Sequence, residues 1–203
     1  MKKILFNDKY GLTKAVLERR KTQTRRVANI DGGFSFGDFG IDDAGKAYAD
    51  FVSDEGRHKD VYTAYQPGEV VAVAQSYRDI YEMKNGLVPE DCRFSAWLKK
   101  DMFDHKGWNN KMFVRPGDMP SFIEIANIRV ERLQDISDYG CLMEGIKRLK
   151  RGFTYEQPGM MYWSPLVFYS PKDAFASLID KICGKGTWDK NPWVFVYDFK
   201  LVI

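Results

Sequence analysis

The C-terminal stretch Trp193-Val194-Phe195-Val196-Tyr197-Asp198-Phe199-Lys200-Leu201-Val202 restricts the fold more than any other part of the chain. Aromatic rings fall at positions 193, 195, 197 and 199, a period of two that suits a long strand. Aromatic and β-branched residues pack well on a pleated surface, so this strand is expected at the heart of a sheet. The segment before it has the other periodicity. Ser170 is placed to cap a helix and Pro171 to take its first position. Phe175, Leu178, Ile179 and Ile182 recur at i, i+3, i+4 and i+7 before Gly184 stops it. A helix feeding an aromatic strand points to an α+β fold.

The 203 residues, 44% hydrophobic and 15% aromatic, supply enough apolar surface for one core, and one domain with insertions is the expected organisation. Cys92, Cys141 and Cys183 are odd in number and contain no C-x-x-C pair, which fits reduced thiols and a cytoplasmic protein. The two histidines, His58 and His105, lie far from any cysteine in sequence, so no metal site is expected, and no cofactor. No apolar run reaches the roughly 20 residues that cross a bilayer. The basic start Met1-Lys2-Lys3 is followed by an apolar run ending at Asn7, too short for a signal peptide.

Taken in order, Ile4-Leu5-Phe6 reads as a short strand and Asn7-Asp8 as the cap of a helix carrying Leu12, Ala15, Val16 and Arg19 on one stripe. Residues 28–66 hold turn signals at Asp31-Gly32-Gly33, Asp42-Asp43-Ala44-Gly45 and Asp54-Glu55-Gly56, which frame a small hairpin or meander expected to decorate the main fold. Pro67-Gly68 turns the chain into the apolar strand Glu69–Ala74. Between Gln75 and Pro120 the periodicity is weak, with a helix expected from Phe94 to Phe103 that turns Trp97 and Leu98 inward. Ile123 and Ile125 have one parity and Ile128 and Val130 the other, so a bulge is expected at Ala126-Asn127. Ser137 caps a short helix with Tyr139, Leu142 and Met143 inward. Glu144 ends it and Gly145 is its left-handed terminator. Residues 152–169 read as an aromatic loop over one end of the fold.

The run Arg19-Arg20-Lys21-Thr22-Gln23-Thr24-Arg25-Arg26 packs five cations and two hydroxyls into eight residues, in what reads as a helix-to-strand loop. Charge is segregated along the chain. Residues 19–26 and 147–151 hold nine cations and no acid, whereas residues 31–60 hold eight acids against Lys46, Arg57 and Lys59. The net charge is only +3, so a positive face would be local. A basic run at a helix C-terminus can serve only to complement the dipole. It can also bind phosphate or a polarised carbonyl.

The K-T-x-T-x-R motif after the first helix, the Pro67-Gly68-Glu69 turn into an apolar strand, the short helix ending Glu144-Gly145 and the aromatic final strand together resemble the ASCH domain family. The resemblance covers Ile4–Val27, Pro67–Gln75, Ile123–Ile146 and Asn191–Lys200. The intervening segments at about 28–66, 76–120 and 147–169 read as insertions. In longer architecture the chain resembles the ASCH proteins of bacteriophages and prophages, which implies the host cytoplasm. The resemblance implies a small β-barrel of the PUA-like type with flanking helices, and an RNA or nucleotide ligand in a cleft beside the basic motif. One bacterial branch hydrolyses the acetyl group of N4-acetylcytidine. The matching catalytic positions here are Lys21, Thr24 and Glu144. Arg19 stands where the family commonly has glycine, and Gln75 where it often has glutamate.

Three functions are therefore expected. The first is binding of RNA, single-stranded nucleic acid or a nucleoside. Lys21, Arg25 and Arg26 would hold phosphate, Arg20, Thr22 and Gln75 would add ligand contacts, and Tyr77 or Trp163 would stack. The second is an amidohydrolase in which Thr24 attacks, a desolvated Lys21 takes its proton and Glu144 serves the leaving amine. The third is an accessory protein that binds a host protein through the acidic 31–60 segment and the aromatic loop.

Overall fold

A computed structural model describes residues 1–30, 32–83, 104–157 and 166–202. Its strands are β1 (Lys3–Ile4), β2 (Gln23–Val27), β3 (Phe34–Ile41), β4 (Ala47–Ser53), β5 (His58–Tyr62), β6 (Val70–Val73), β7 (Phe122–Arg132), β8 (Lys147–Leu149), β9 (Gly152–Thr154) and β10 (Trp193–Val202). Its helices are α1 (Leu12–Leu17), α2 (Tyr77–Met83), α3 (Asp138–Met143), α4 (Pro171–Cys183) and α5 (Thr187–Lys190). The protein is α+β. The helix expected over Phe94–Phe103 lies outside the described residues, as do Cys92 and Trp163.

Five strands form the main sheet, in the order β1-β6-β7-β10-β2. β1 and β6 are parallel and the other neighbours antiparallel. β10 is paired on both sides, by β7 and by β2, as its aromatic alternation predicts. Opposite Asp198 lies Asn127 and opposite Phe199 lies Ile125, which leaves Ala126 as the extra residue of a bulge. The parity change read from the sequence is that bulge, and it keeps Ile123, Ile125 and Ile128 all buried. The sheet's outer strands, β1 and β2, approach each other: the Arg26 guanidinium on β2 donates to the Leu5 carbonyl beyond β1 at 2.7 Å.

Residues 34–62 form the three-stranded antiparallel sheet β3-β4-β5, the meander expected from the turn signals. It is not decoration. Ala47, Ala49 and Phe51 are fully buried in the main core. The Phe51 ring packs 5.9 Å from that of Trp193, whose indole N–H donates to the Phe34 carbonyl at 3.0 Å. An alternating Ala-x-Ala-x-Phe face needs a partner surface, and the start of β10 supplies it.

The first helix begins differently from its sequence reading. Asn7 makes no side-chain cap; a 3-10 turn over Asp8–Tyr10 and a left-handed Gly11 precede α1. α1 ends at Leu17, so Arg19 falls outside it and is exposed. Arg19 takes a left-handed backbone (φ 59), which glycine adopts without strain and arginine does not. The basic motif is only half a loop, because Gln23–Arg26 are strand.

α3 is capped by Ser137, whose hydroxyl accepts from the Gly140 N–H at 3.0 Å. At its other end the Gly145 N–H donates to the Leu142 carbonyl and the Ile146 N–H to that of Cys141, the two bonds of a Schellman motif with Gly145 at φ 105. Tyr139 is not inward, being 70% exposed, and Gly140 and Cys141 pack instead. α4 follows its sequence pattern. Ser170 accepts from the Asp173 N–H, and Phe175, Leu178 and Ile179 are buried. Of the aromatic loop, Phe153 and Phe168 form a β-bridge and Tyr155 is buried, while residues 158–165 lie outside the described set.

Candidate functional site

β2 brings the basic motif against the middle of the fold. Residues opposite one another on paired strands share a face, so Arg25 lies with Val196 and Arg129, and Thr24 with Tyr197 and Ile128. Consecutive residues of the motif therefore serve opposite sides of the sheet.

Lys21 lies just before the strand and is 2% exposed. Its ammonium meets three acceptors: the Glu144 carboxylate at 2.5 Å, the Gln23 carbonyl at 2.7 Å and the Glu144 carbonyl at 2.9 Å. The Phe6 ring lies 5.7 Å below it. All three N–H bonds of a charged lysine are thereby used. Burial lowers the Lys21 pKa, Glu144 opposes that, and Arg26 and Arg25 reinforce it. Desolvation wins.

Glu144 is held by the Schellman turn that ends α3, where its carboxylate faces away from the dipole's preference. The reason is its company. Its second oxygen accepts from Arg25 at 3.0 Å, so one carboxylate joins two buried cations. Arg25 in turn donates twice to Glu131, at 2.6 and 3.0 Å. Arg129 continues the chain to Glu131 at 3.2 Å and to Asp198 at 2.6 Å. Opposite charges alternate across the sheet from Lys21 to Asp198, and each buried charge finds a countercharge.

Beside this network opens a cleft of about 1210 Å³. Lys21, Thr24, Arg25 and Arg26 of the motif line one side of it. Phe6 and Asn7 continue that side, and Glu144 closes its base. The opposite wall is apolar, formed by Phe175, Leu178, Ile179 and Ile182 of α4. Lys9, Arg78 and Lys111 stand on the cleft alongside Asp8, Asp79 and Glu82. Thr24 is buried, lines the cleft, and makes no side-chain hydrogen bond among the described residues. Arg26 is exposed on the cleft, and among the described residues its side chain makes one hydrogen bond, to the Leu5 carbonyl.

Of the residues expected from sequence, Lys21, Thr24, Arg25, Arg26 and Glu144 converge on this cleft. Arg20, Thr22, Gln75 and Tyr77 do not line it. Arg20 turns back onto Glu18, with contacts of 2.6 and 2.8 Å. Thr22 has a structural place, its N–H on the Met143 carbonyl and its carbonyl accepting from Phe199. Gln75 is buried and borders a smaller neighbouring cavity of about 560 Å³. Tyr77 is a core residue with no exposed surface. Its hydroxyl donates to Asp118 at 2.7 Å and accepts from the Arg115 N–H, and burial pushes its pKa up to about 12. It offers no face for stacking. Trp163 lies outside the described residues.

Sequence reasoning passed over Glu131, Arg129 and Asp198 as site neighbours. The signal was present in the i, i+2 spacing of Arg129 and Glu131, but it needed the β7–β10–β2 register to become a contact. The α4 stripe Phe175, Leu178, Ile179 and Ile182 also lines the cleft, which its helical spacing alone does not tell. Among the described residues no group of His, Cys, Asp or Glu is arranged to hold a metal ion, and no helix is long and apolar enough to cross a membrane. No protein-family model, curated protein or solved structure matches the chain.

Proposed function

We propose that this protein is an ASCH-like binder of a nucleotide or a single-stranded nucleic-acid segment, held in the cleft between β2 and α4. In this reading the five-stranded sheet is the wall of a PUA-like barrel. Its two outer strands are joined by the Arg26–Leu5 contact instead of a ladder, and the ligand enters beside that seam. The observation that carries the reading is Thr24, a nearly buried residue on the cleft lining whose hydroxyl has no hydrogen-bond partner among the described residues, in a cleft also lined by the exposed Arg26 and by apolar α4 residues. A base against Phe175 and Ile179, a polar edge on Thr24 and a phosphate on Arg26 would use all three features. Titrating cytidine and uridine monophosphates and a 12-residue oligonucleotide against the protein tests it. Binding weakened about tenfold by Arg26→Gln is expected, and no binding of any of these at low salt removes the reading.

A second reading, an amidohydrolase acting on an N4-acylated cytidine, is favoured by the Lys21–Glu144 contact at the cleft base. Thr24 Oγ would attack the acyl carbonyl, its proton passing to a Lys21 that has first handed its own proton to the Glu144 carboxylate. Glu144 would deliver a proton to the departing N4 amine, and water would then release the acyl group from Thr24. The lowered pKa of Lys21 supports that role, whereas the three acceptors around its nitrogen hold it as ammonium. Incubation with N4-acetylcytidine decides: deacetylation abolished by Thr24→Ala supports hydrolysis, and no turnover leaves binding alone.

A further inference from the structure

The second cationic run of the sequence, residues 147–151, lies away from the cleft lining and has its own geometry. β8 and β9 pair through Lys147↔Thr154, Arg148↔Phe153 and Leu149↔Gly152, with Lys150 and Arg151 at the tip. Gly152 has φ 100, and a Cβ there would meet the Phe168 carbonyl oxygen at 2.5 Å. A two-residue turn closed by a left-handed glycine at the first position of β9 accounts for that glycine. It places no demand on the two residues before it, which any polar side chain could fill.

They are nevertheless both cations, and both are exposed, as is Arg148. Among the described residues none of the three makes an ion pair or a side-chain hydrogen bond. That sets them apart from Arg20, Arg25, Arg78 and Arg129, all engaged with carboxylates. Lys147, at the root of the hairpin, is neutralised by Glu156 at 2.8 Å. Phe153 bridges to Phe168, and the next residue, Tyr169, is 100% exposed. Three unpaired cations beside a free aromatic ring are the parts of a single-strand surface, charge for phosphates and a face for a base. The tip carries no apolar side chain to insert into a bilayer. β8 also begins three residues after Glu144, a reach of roughly 10 Å at most, so one strand of nucleic acid could span both places.

We propose that the β8–β9 hairpin is a phosphate-binding arm, through Arg148, Lys150 and Arg151, so that the natural ligand is a single-stranded nucleic-acid chain, probed here with RNA, and not a free nucleotide. This rests on the cleft reading for the position of the bound base, and the arm is tested apart from it. The triple variant R148Q/K150Q/R151Q removes three exposed charges, and its thermal unfolding should match the parent. Affinities for cytidine monophosphate and for a 12-residue single-stranded RNA are measured from 50 to 300 mM salt. The expected result is an RNA salt slope, log K against log salt, shallower by about 2 in the variant. Mononucleotide affinity should be unchanged. An RNA slope and affinity equal to the parent's overturn the arm and leave the cleft reading standing. RNA binding that the triple variant weakens but Arg26→Gln leaves unchanged keeps the arm and removes the cleft reading. Failure of the parent to bind RNA, or loss in the variant only of binding to phosphatidylserine vesicles, overturns the arm.

Discussion

The Lys21 ammonium and the Glu144 carboxylate meet at 2.5 Å although 123 residues separate them in sequence, and both are nearly excluded from solvent. Their contact ties the start of β2 to the end of α3. The opposite oxygen of Glu144 is on Arg25, so among the described residues this carboxylate is the only countercharge of Lys21 and one of two for Arg25. Removing Glu144 therefore strands a buried charge. Glu144→Ala is expected to destabilise by about 3–5 kcal/mol. Lys21→Met leaves the carboxylate paired with Arg25 and should cost clearly less. Urea denaturation of the two variants checks the order, and equal losses would contradict it.

The same pair makes a statement about pH. Lys21 has a folded pKa below its ordinary 10.5, so between the folded and unfolded values the unfolded chain binds more protons. Stability from this group accordingly rises with pH across that window, and its penalty is fully present below it. Lys21→Met should flatten that alkaline slope. Chemical denaturation of parent and variant at a series of pH values up to 10.5 reads the difference, and parallel curves would exclude the role assigned to burial.

Arg19 tests the turn that delivers the motif. It holds a left-handed backbone at φ 59, and its side chain makes only a 3.5 Å contact with the Leu201 carbonyl. Relief of the Cβ clash is worth about 1–2 kcal/mol and the added freedom of the unfolded chain takes back up to about 1. Arg19→Gly should therefore stabilise by about 0.5–1 kcal/mol, while Arg19→Val destabilises. Thermal melts of the two variants should move in opposite directions.

These residues also show what was legible before any coordinates. Local rules carried far: the Ser137 and Ser170 caps, the bulge at Ala126, the Gly145 terminator and the α4 stripe each depend on a few neighbouring residues. Convergence of Lys21, Thr24 and Glu144 on one cleft was legible only through the family resemblance, since no periodicity relates positions 21 and 144. Exposure was the weak point. Tyr77 was expected to stack on a ligand because an aromatic after a polar residue gives no sign of whether it faces in. The meander that carries Ala47, Ala49 and Phe51 reads as decoration because the ring that packs on Phe51, Trp193, arrives 142 positions later. Facts that depend on which surface meets which are set by the long-range register.

The cysteines offer a probe of the cleft. Cys141 is buried and its thiol is pushed up to about 12, so it should resist alkylation. Cys183 is exposed at the end of α4 and lines the cleft. Iodoacetamide at pH 8 followed by peptide mapping should modify Cys183 well ahead of Cys141. A saturating cleft ligand should slow the reaction at Cys183. Modification unaffected by a ligand known to bind would place that ligand elsewhere.

Arg25 and Arg26 are neighbours on one strand with opposite duties. Arg25 is buried and spends its guanidinium on Glu131 and Glu144. Arg26 is exposed, and among the described residues its side chain makes one hydrogen bond, to the Leu5 carbonyl. Truncating Arg25 leaves two carboxylates short of a partner, and Arg25→Gln should cost about 2–4 kcal/mol. Arg26→Gln should shift stability by no more than about 0.5–1 kcal/mol, because water replaces what is lost. Binding should respond the other way, with Arg26→Gln weakening an anionic ligand about tenfold in protein that melts like the parent. Parallel melts and nucleotide titrations separate the two arginines. A stable, fully binding Arg26→Gln protein would move the phosphate contact off β2.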